Sequence, residues 1–572
     1  MPFSERFRTR ALERLTRLYG EEASACLNRI VESGSRNDSL PSRSQNELWT
    51  EQDVVLITYA DQVRRAGCTP LAALNRFLLD HHLDQCINTV HLLPFFPYST
   101  DDGFSVIDYK QVDPACGDWA DVTQLGKSFD LMFDLVLNHC SKEHRWFRDY
   151  LKGKEPYNRY FLEVDSATDL SGVVRPRSAP VLTPFETSLG TRNVWTTFSD
   201  DQIDLNFSNP DVLCEMIDVL LFYVQHGARI IRLDAVAYLW KTLGTSCIHL
   251  PETHTVVKLL RDILEEFAPG TILLTETNVP HRENVSYFGD GDEAQMVYQF
   301  SLAGLLLDAF LSRDAGPMNE WLGSLEPAGA GMTFFNFTAS HDGIGVRPLE
   351  GLVSQERLDR LIEAVRLRGG RVSTKRDTVG SDSPYELNIT YFSALVDPDE
   401  RDPELSVRRF LSSQAVMLAL QGIPGIYFHS LVGTENDLAG VERTGRSRSI
   451  NRRKFSLDEL GNILADENST QQRVFDEYRN MIRTRVSQPA FHPDAAQRVI
   501  DLNNPALIAF LRTSLDAAQN ILVLTNVSGE PASVDLFAFD HLKLEVDLLG
   551  GENPRNHQLT LTPFTTAWLA SM

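Results

Sequence analysis

The nine residues ARIIRLDAV, Ala228 to Val236, decide how this sequence is read: a short aliphatic, β-branched run that closes on Arg232 and Asp234. By pattern it is a strand, and one that ends in a carboxylate delivers that group at the strand's exit. Other runs share the form: VVLITY from Val54, TVHLLPF from Thr89, LMFDLVLNH from Leu131, TILLTET from Thr271, MVYQF from Met296, MTFFNF from Met332 and GIPGIYF from Gly422. Longer segments at helical spacing lie between them. Strands alternating with helices predict a parallel α/β sheet, and eight strands predict a closed (β/α)8 barrel of the TIM type over about residues 51–488.

Two intervals within that span, about 139–206 and 343–398, are rich in Pro, Gly, Ser and Thr and too long for ordinary connections. Inserts of this kind at strand ends are functional loops or small domains. Before the barrel, Ser4 to Asn46 alternates apolar and charged residues at helical spacing, with Leu12, Leu15, Leu18 and Tyr19 as the apolar stripe, and it ends in the polar stretch Ser35 to Ser44. Residues 1–50 therefore read as a helical extension with a linker. After about Pro489, pieces such as LIAFLRT, NILVLTNVS and QLTLTPFTTAWLA predict a C-terminal β-sandwich over 489–572.

Composition narrows the functional classes. With 572 residues, 42% of them hydrophobic and 23% charged, the chain has room for one large folded domain and smaller ones. A net charge of -24 repels nucleic-acid phosphates and anionic membranes, so neither is an expected partner; a phosphate-bearing ligand needs a local basic pocket. Cys26, Cys68, Cys86, Cys116, Cys140, Cys214 and Cys247 include no CxxC pair, which favours reduced thiols over a zinc site or a disulfide framework. The charged N-terminus lacks the apolar core of a signal peptide, and no long uncharged apolar run follows, so the expected location is the cytoplasm. LGKS at Leu125 to Ser128 lacks the upstream glycine of a phosphate-binding loop.

Polar residues close several runs: Asn138 and His139, then Asp234, then Glu276, and, just past MTFFNF, His341 and Asp342. In a parallel barrel these ends share one face, so groups distant in sequence meet. Retaining glycoside cleavage needs one carboxylate as nucleophile and a second as acid and then base, roughly 5 Å apart. Asp234, two residues after Arg232, is expected to stay ionised beside that cation and to serve as nucleophile. Glu276 follows Ile272, Leu273 and Leu274, where burial would raise its pKa and suit proton donation. Asp342, beside His341, can bind sugar hydroxyls and favour a positively charged transition state.

DLVLNH (Asp134 to His139), RLDAV (Arg232 to Val236), TETN (Thr275 to Asn278) and ASHDG (Ala339 to Gly343) resemble, in order and spacing, the signature regions of the α-amylase superfamily, glycoside hydrolase family thirteen. That resemblance also informs the count of eight strands. It implies Asp234 as nucleophile, Glu276 as acid/base and Asp342 as transition-state stabiliser, with Arg232, His139 and His341 around a bound glucose. Over nearly the whole chain, LPFFPYSTDDGFSVIDY, RPRSAPVLTPF, GTSCIHLPETH, SHDGIGV, SPYELNITYFSAL and SINRRKF look like the sucrose phosphorylase subgroup, which transfers glucose to phosphate. Within it, the N-terminal extension, TETNVPH and SPYE are most similar to glucosylglycerate phosphorylases. The resemblance implies that Asp101, Phe104 and Arg448 surround the donor glucose, that Phe198 walls it, and that Arg177 and Tyr385 sit on mobile loops serving phosphate and acceptor in turn. Asn278 and Glu386 stand where sucrose phosphorylases carry histidine and glutamine, which counts against sucrose as natural substrate.

The implied activity is that of a hexosyltransferase: reversible phosphorolysis of 2-O-α-glucosylglycerate to α-glucose 1-phosphate and glycerate. Inorganic phosphate is the co-substrate, small molecules are the only expected ligands, and no metal or other cofactor is expected. Asn138, a calcium ligand in many amylases, is not expected to hold that ion because the subgroup generally lacks it. Sucrose, sucrose 6'-phosphate and glucosylglycerol remain alternative substrates, and an α-glucosidase or transglucosidase is the rival activity. A non-catalytic barrel is disfavoured by the presence of all three carboxylates. A homodimer is left open. Arg368, Arg371, Lys375 and Arg376 cluster in the second insert, where they either pair with surface acids or serve an anion; for Arg371 and Lys375 the expected anion is the glycerate carboxylate.

Overall fold

Each quoted run forms a strand: β1 (Val55–Thr58), β2 (Thr89–Leu92), β3 (Asp130–Leu135), β4 (Ala228–Leu233), β5 (Ile272–Thr275), β6 (Met296–Tyr298), β7 (Thr333–Phe337) and β8 (Ile423–Tyr427). The computed structural model describes residues 3–36, 40–41, 43, 48–176, 179–376, 382–400 and 402–571. The strands pair in parallel in chain order, and β8 closes on β1 with Val55 opposite Gly425 and Ile57 opposite Tyr427. They are buried throughout except at Asp130 and Arg229, because helices cover the outside while side chains fill the inside. Those two exceptions lie at strand entrances and pair with each other at 3.0 Å. Gly425 makes room inside the barrel, since a Cβ there would stand 2.3 Å from the Phe335 ring.

Capping chemistry fixes where the chain turns back from the sheet. Thr69–Pro70, Asn209–Pro210 and Asp402–Pro403 each start a helix with a side-chain cap followed by proline, whose missing N–H costs nothing there. In the N-terminal extension, α1 (Glu5–Tyr19) and α2 (Ala23–Arg36) pack against α3 (Pro210–Gln225) and α4 (Pro251–Phe267). The buried stripe of α1 is Phe7, Ala11 and Leu15, one step around the helix from the stripe read in the sequence, so Leu12 is 38% exposed. Of the expected linker, residues 37–39, 42 and 44–47 lie outside the described residues.

The C-terminal strands are β9 (Ala496–Val499), β10 (Leu507–Thr513), β11 (Asn520–Asn526), β12 (Ala532–Asp535), β13 (Val546–Asp547), β14 (Gln558–Leu561) and β15 (Thr566–Ala570). A five-stranded sheet, β9-β10-β11-β15-β13, faces the β12-β14 pair. Alternation along β10 divides its residues: Leu507, Ala509 and Leu511 fill the space between the two sheets, whereas Ile508 and Phe510 join the barrel core. The sheet is thus a shared wall.

Both long inserts follow strand exits, after β3 and after β7. The first carries the helix Arg145–Leu151, the hairpin Leu182–Thr187/Gly190–Trp195, and a strand Gln202–Asp204 paired with His139–Ser141. The second forms an antiparallel sheet in the order Ile344–Gly345, Asp382–Asn388, Arg371–Arg376. Among the described residues no helix is long and apolar enough to cross a membrane.

Candidate active site

The strand exits and the two inserts enclose one cavity, lined by Asp101, Phe104, His139, Phe198, Gln202, Asp234, Ala235, Glu276, Asn278, His341, Asp342, Tyr385, Glu386 and Arg448. These include every predicted site residue except two. Arg232 lies below the floor, and Arg177 lies outside the described residues.

Arg232, 3% exposed, is the hub of one side. Its Nη1 donates to Asp234 Oδ1 at 2.8 Å and to Asp134, its Nε donates to the Tyr298 hydroxyl at 3.1 Å, and its Nη2 comes within 3.9 Å of Glu276 Oε2. Burial pushes the Glu276 carboxyl up, with Arg232 opposing and Asp342 adding to the rise. Burial also pushes Asp234 up, again against Arg232, and Glu276 adds to it. The expectation that Arg232 would hold Asp234 ionised is therefore corrected: Arg232, with His91, keeps Asp134 below the ordinary carboxylate range, but it does not offset the desolvation of Asp234 and Glu276. Arg232 lies closer to Asp234 than to Glu276, so of these two raised carboxyls Glu276 is the better placed to carry a proton.

Around Asp342 the balance is reversed. Arg448 Nη1 lies 2.6 Å from Asp342 Oδ1, and Arg452 Nη2 lies 3.7 Å from the same oxygen. Although burial works upward, Arg448, then His341 and Arg452, hold the Asp342 carboxyl well below the ordinary range. Burial lowers His341 to about 3, so its imidazole is neutral at pH 7. Arg448 also grips Glu386 with both arms, at 2.5 and 3.1 Å.

Backbone strain sits beside the chemistry. Asp101, Asp102 and Ala235 have φ of 53°, 49° and 50°, each costing about 1–3 kcal/mol for a residue with a Cβ. At Ala235 this conformation accompanies an N–H donated to Glu276 Oε2 at 2.9 Å, which ties the residue after Asp234 to the second carboxylate.

The model of the "Alpha amylase, catalytic domain" matches residues 79–320. A glucosylglycerate phosphorylase of Spirochaeta thermophila is 52% identical over 476 residues, covering 83% of this chain and 80% of that protein. One from Escherichia coli is 44% identical over 561 residues, covering 97% and 98%. The chain belongs to the α-amylase family. Among solved structures, sucrose 6F-phosphate phosphorylase from Thermoanaerobacter thermosaccharolyticum superposes with a TM-score of 0.72 at 26% identity, over 83% of this chain and 94% of that one.

Within this α-amylase-family barrel, each insert contributes through a specific local device. Gln202 reaches Asp101 Oδ2 and Phe104 O, both at 3.4 Å, and His139 Nε2 donates to Phe104 O at 2.9 Å. Asn138 Oδ1 accepts from Lys241 at 2.8 Å, and the same ammonium pairs with buried Asp204 at 2.6 Å. In the second insert, Ser373 faces Glu386 but Thr374 faces Pro384, so Tyr385 is the extra residue of a β-bulge. Consecutive strand residues point to opposite faces; the bulge lets Tyr385 and Glu386 both line the cavity. Gly345 is required beside them, because a Cβ would stand 2.4 Å from Asn278 Oδ1.

Of the basic cluster, the described side chains of Arg368, Arg371 and Lys375 do not line the cavity. Arg371 is exposed and lies opposite Asn388, two residues and so roughly 7 Å along the strand from Glu386. Arg368 donates to Ala364 O at 3.0 Å, and neither Arg368 nor Lys375 is part of the cavity wall. The side chain of Arg376 lies outside the described residues. Gln202 and Ala235 are cavity residues that the sequence reading missed, as is Asp134 beneath the floor.

Proposed function

We propose that this chain is a retaining phosphorylase that converts 2-O-α-glucosylglycerate and inorganic phosphate to α-glucose 1-phosphate and glycerate. Asp234 attacks the anomeric carbon while Glu276 gives its proton to the departing glycerate oxygen. A phosphate oxygen then attacks the same carbon from the opposite face, breaking its bond to Asp234 and releasing that carboxylate, while Glu276 takes up the phosphate proton. Two inversions give retention, and the reaction runs in both directions. Asp342, held ionised, stabilises the positive charge that develops on the ring. Asp101, Phe104, His139, Phe198, His341 and Arg448 hold the glucose from the cavity wall, and Arg232 acts from below. Asn278, Tyr385, Glu386 and Arg177 are assigned to the acceptor and phosphate side. No metal or organic cofactor enters these steps. A cytoplasmic setting belongs to the same reading, in keeping with seven free cysteines.

The observation that carries the acceptor is the 44–52% identity to proteins named glucosylglycerate phosphorylase over most of the chain, together with the three carboxylates in one cavity. The test is to supply glucosylglycerate with and without phosphate and to measure glucose 1-phosphate and free glucose. Phosphate-dependent glucose 1-phosphate is expected; free glucose alone in phosphate buffer would make the protein an α-glucosidase. Run in reverse, glucose 1-phosphate should be consumed with glycerate in preference to glycerol, fructose or fructose 6-phosphate.

A further inference from the structure

Asp101, Asp102 and Gly103 are three consecutive residues of positive φ, at 53°, 49° and 114°, and only the third is a glycine. A strained turn of this kind persists where the surroundings over-determine it. Gly103 supplies part of that constraint by passing so close to Pro94 that a Cβ would be 2.5 Å from the Pro94 carbonyl oxygen. Gln202 reaches Asp101 Oδ2 at 3.4 Å, and a further constraint comes from Arg452, 8% exposed, which spans two turns at once. Its Nη1 holds Asp102 Oδ2 at 2.5 Å, its Nε donates to the His341 carbonyl at 2.8 Å, and its Nη2 faces Asp342 Oδ1 at 3.7 Å. The preceding residue adds two donations, from Asn451 Nδ2 to Ser340 O at 3.1 Å and to Asp342 O at 3.2 Å.

We propose that Arg452 and Asp102 form a positioning pair that locks the turn presenting Asp101 to the turn presenting Asp342. Asp101 and Asp342 approach Arg448 Nη1 from two different loops, at 3.9 and 2.6 Å, so a slip of either turn changes the floor on which a sugar would rest. Arg452 is absent from the cavity wall and acts only through the residues it holds. Its fork geometry is essential, because one planar group serves a carboxylate and a backbone carbonyl in fixed directions. Lysine can keep the charge but not both bonds. This assignment rests on the glucosyl-transfer reading above.

The test compares Arg452→Met, Arg452→Lys, Asp102→Asn and the double variant Arg452→Met/Asp102→Asn, measuring kcat/KM for phosphorolysis, the Kd of glucose and Tm. Arg452→Met should lower kcat/KM by about 100-fold and Asp102→Asn by about tenfold, the scale of small misplacements of reacting groups. Both should weaken glucose binding. Arg452→Lys should recover part of the loss, and Asp102→Asn should cost nothing further once Arg452 is Met. Unchanged kinetics, losses that simply multiply in the double variant, or losses fully accounted for by a smaller folded fraction would overturn the proposal. Should Arg452→Met fail to fold, Asp102→Asn and Arg452→Lys carry the same comparison. A wild-type protein that binds glucose but forms no glucose 1-phosphate would sink the functional reading, while glucose affinity in the variants would still decide the positioning role.

Discussion

Asp234 and Asp342 face the same cavity, yet their surroundings are opposites. On the Asp234 side, three carboxylates, Asp134, Asp234 and Glu276, share the guanidinium of Arg232. On the Asp342 side, two guanidiniums, Arg448 and Arg452, serve Asp342, with Glu386 and Asp102 as further anions. On the first side burial raises both Asp234 and Glu276 against a single shared guanidinium; on the second, two guanidiniums converge on Asp342 and hold it ionised. An enzyme that must first donate a proton and then tolerate a cation needs both conditions a few ångströms apart, and environment rather than residue type separates them.

The sharpest way to break this comparison is to remove each charge isosterically. Asp234→Asn, Glu276→Gln and Asp342→Asn should each lower kcat on glucosylglycerate, by on the order of 10⁴-fold for the nucleophile. They should differ with leaving group. Glu276→Gln should regain much of its first-step rate on α-glucosyl fluoride, which departs without protonation, whereas Asp342→Asn should not. Equal deficits of the two variants on both donors would remove the distinction between the sides.

A smaller effect tests the shared guanidinium. Arg232→Met takes the guanidinium from buried Asp134 and Asp234, leaving Asp134 only its contact with His91, and should cost about 3–5 kcal/mol of unfolding free energy in urea titrations. Arg448→Met strips buried Glu386 of its partner but leaves Asp342, 27% exposed, beside Arg452, so fewer buried carboxylates lose their cation and the cost should be smaller. Equal losses would mean that the two sides are not electrostatically different.

Position along the chain foretold the carboxylates but not this charge balance. Asp234 and Glu276 are legible because an apolar strand run ends on each, and period and length mark such runs before any contact is known. Arg232 was legible as a neighbour of Asp234, two residues away; that it would also serve Asp134 depends on the pairing of β3 with β4, which sets Asp134 opposite Arg232. Arg452 lies 110 residues beyond Asp342 and reads locally as one basic residue in SINRRKF. Tyr385 and Glu386 were named through family likeness; strand alternation alone would have turned one of them away, and a bulge leaves no clear mark in sequence. Arg371 and Lys375 show the converse case: a basic cluster states charge and not direction, and neither residue lines the cavity.

The pH dependence of kcat/KM should carry the same asymmetry. Glu276 acts protonated in the first step and its carboxyl is raised by burial, so activity should fall on the alkaline side as pH passes through that raised value. Asp342 should contribute no acid limb in the ordinary carboxylate range, because its charge persists to lower pH. The acid limb is set by Asp234, which must be ionised to attack; Arg448→Met should bring the Asp342 titration upward until it joins that limb and moves it toward neutrality. An acid limb that stays in place would mean that Arg448 is not what keeps Asp342 ionised.

The smallest effect is the one with opposite signs. Glu276 has a folded pKa above its unfolded value, so its contribution to stability is fully present below the unfolded pKa and is lost as pH rises through the folded one. At pH 7 the unfolded carboxyl is ionised and burying it carries a cost, so Glu276→Gln, which keeps an oxygen to accept from Ala235, should raise stability. Asp342 has a depressed folded pKa, so its contribution is present above the unfolded pKa and lost as pH falls through the folded one. Asp342→Asn should therefore lower stability at pH 7, because it removes the carboxylate that Arg448 and Arg452 hold ionised. Each difference should shrink as pH falls, the first as Glu276 becomes protonated in both states and the second as Asp342 loses its charge. Tm measured at pH 7 and again in mild acid distinguishes these cases, and shifts of the same sign for both variants would show that burial, rather than the count of guanidiniums, governs both carboxylates.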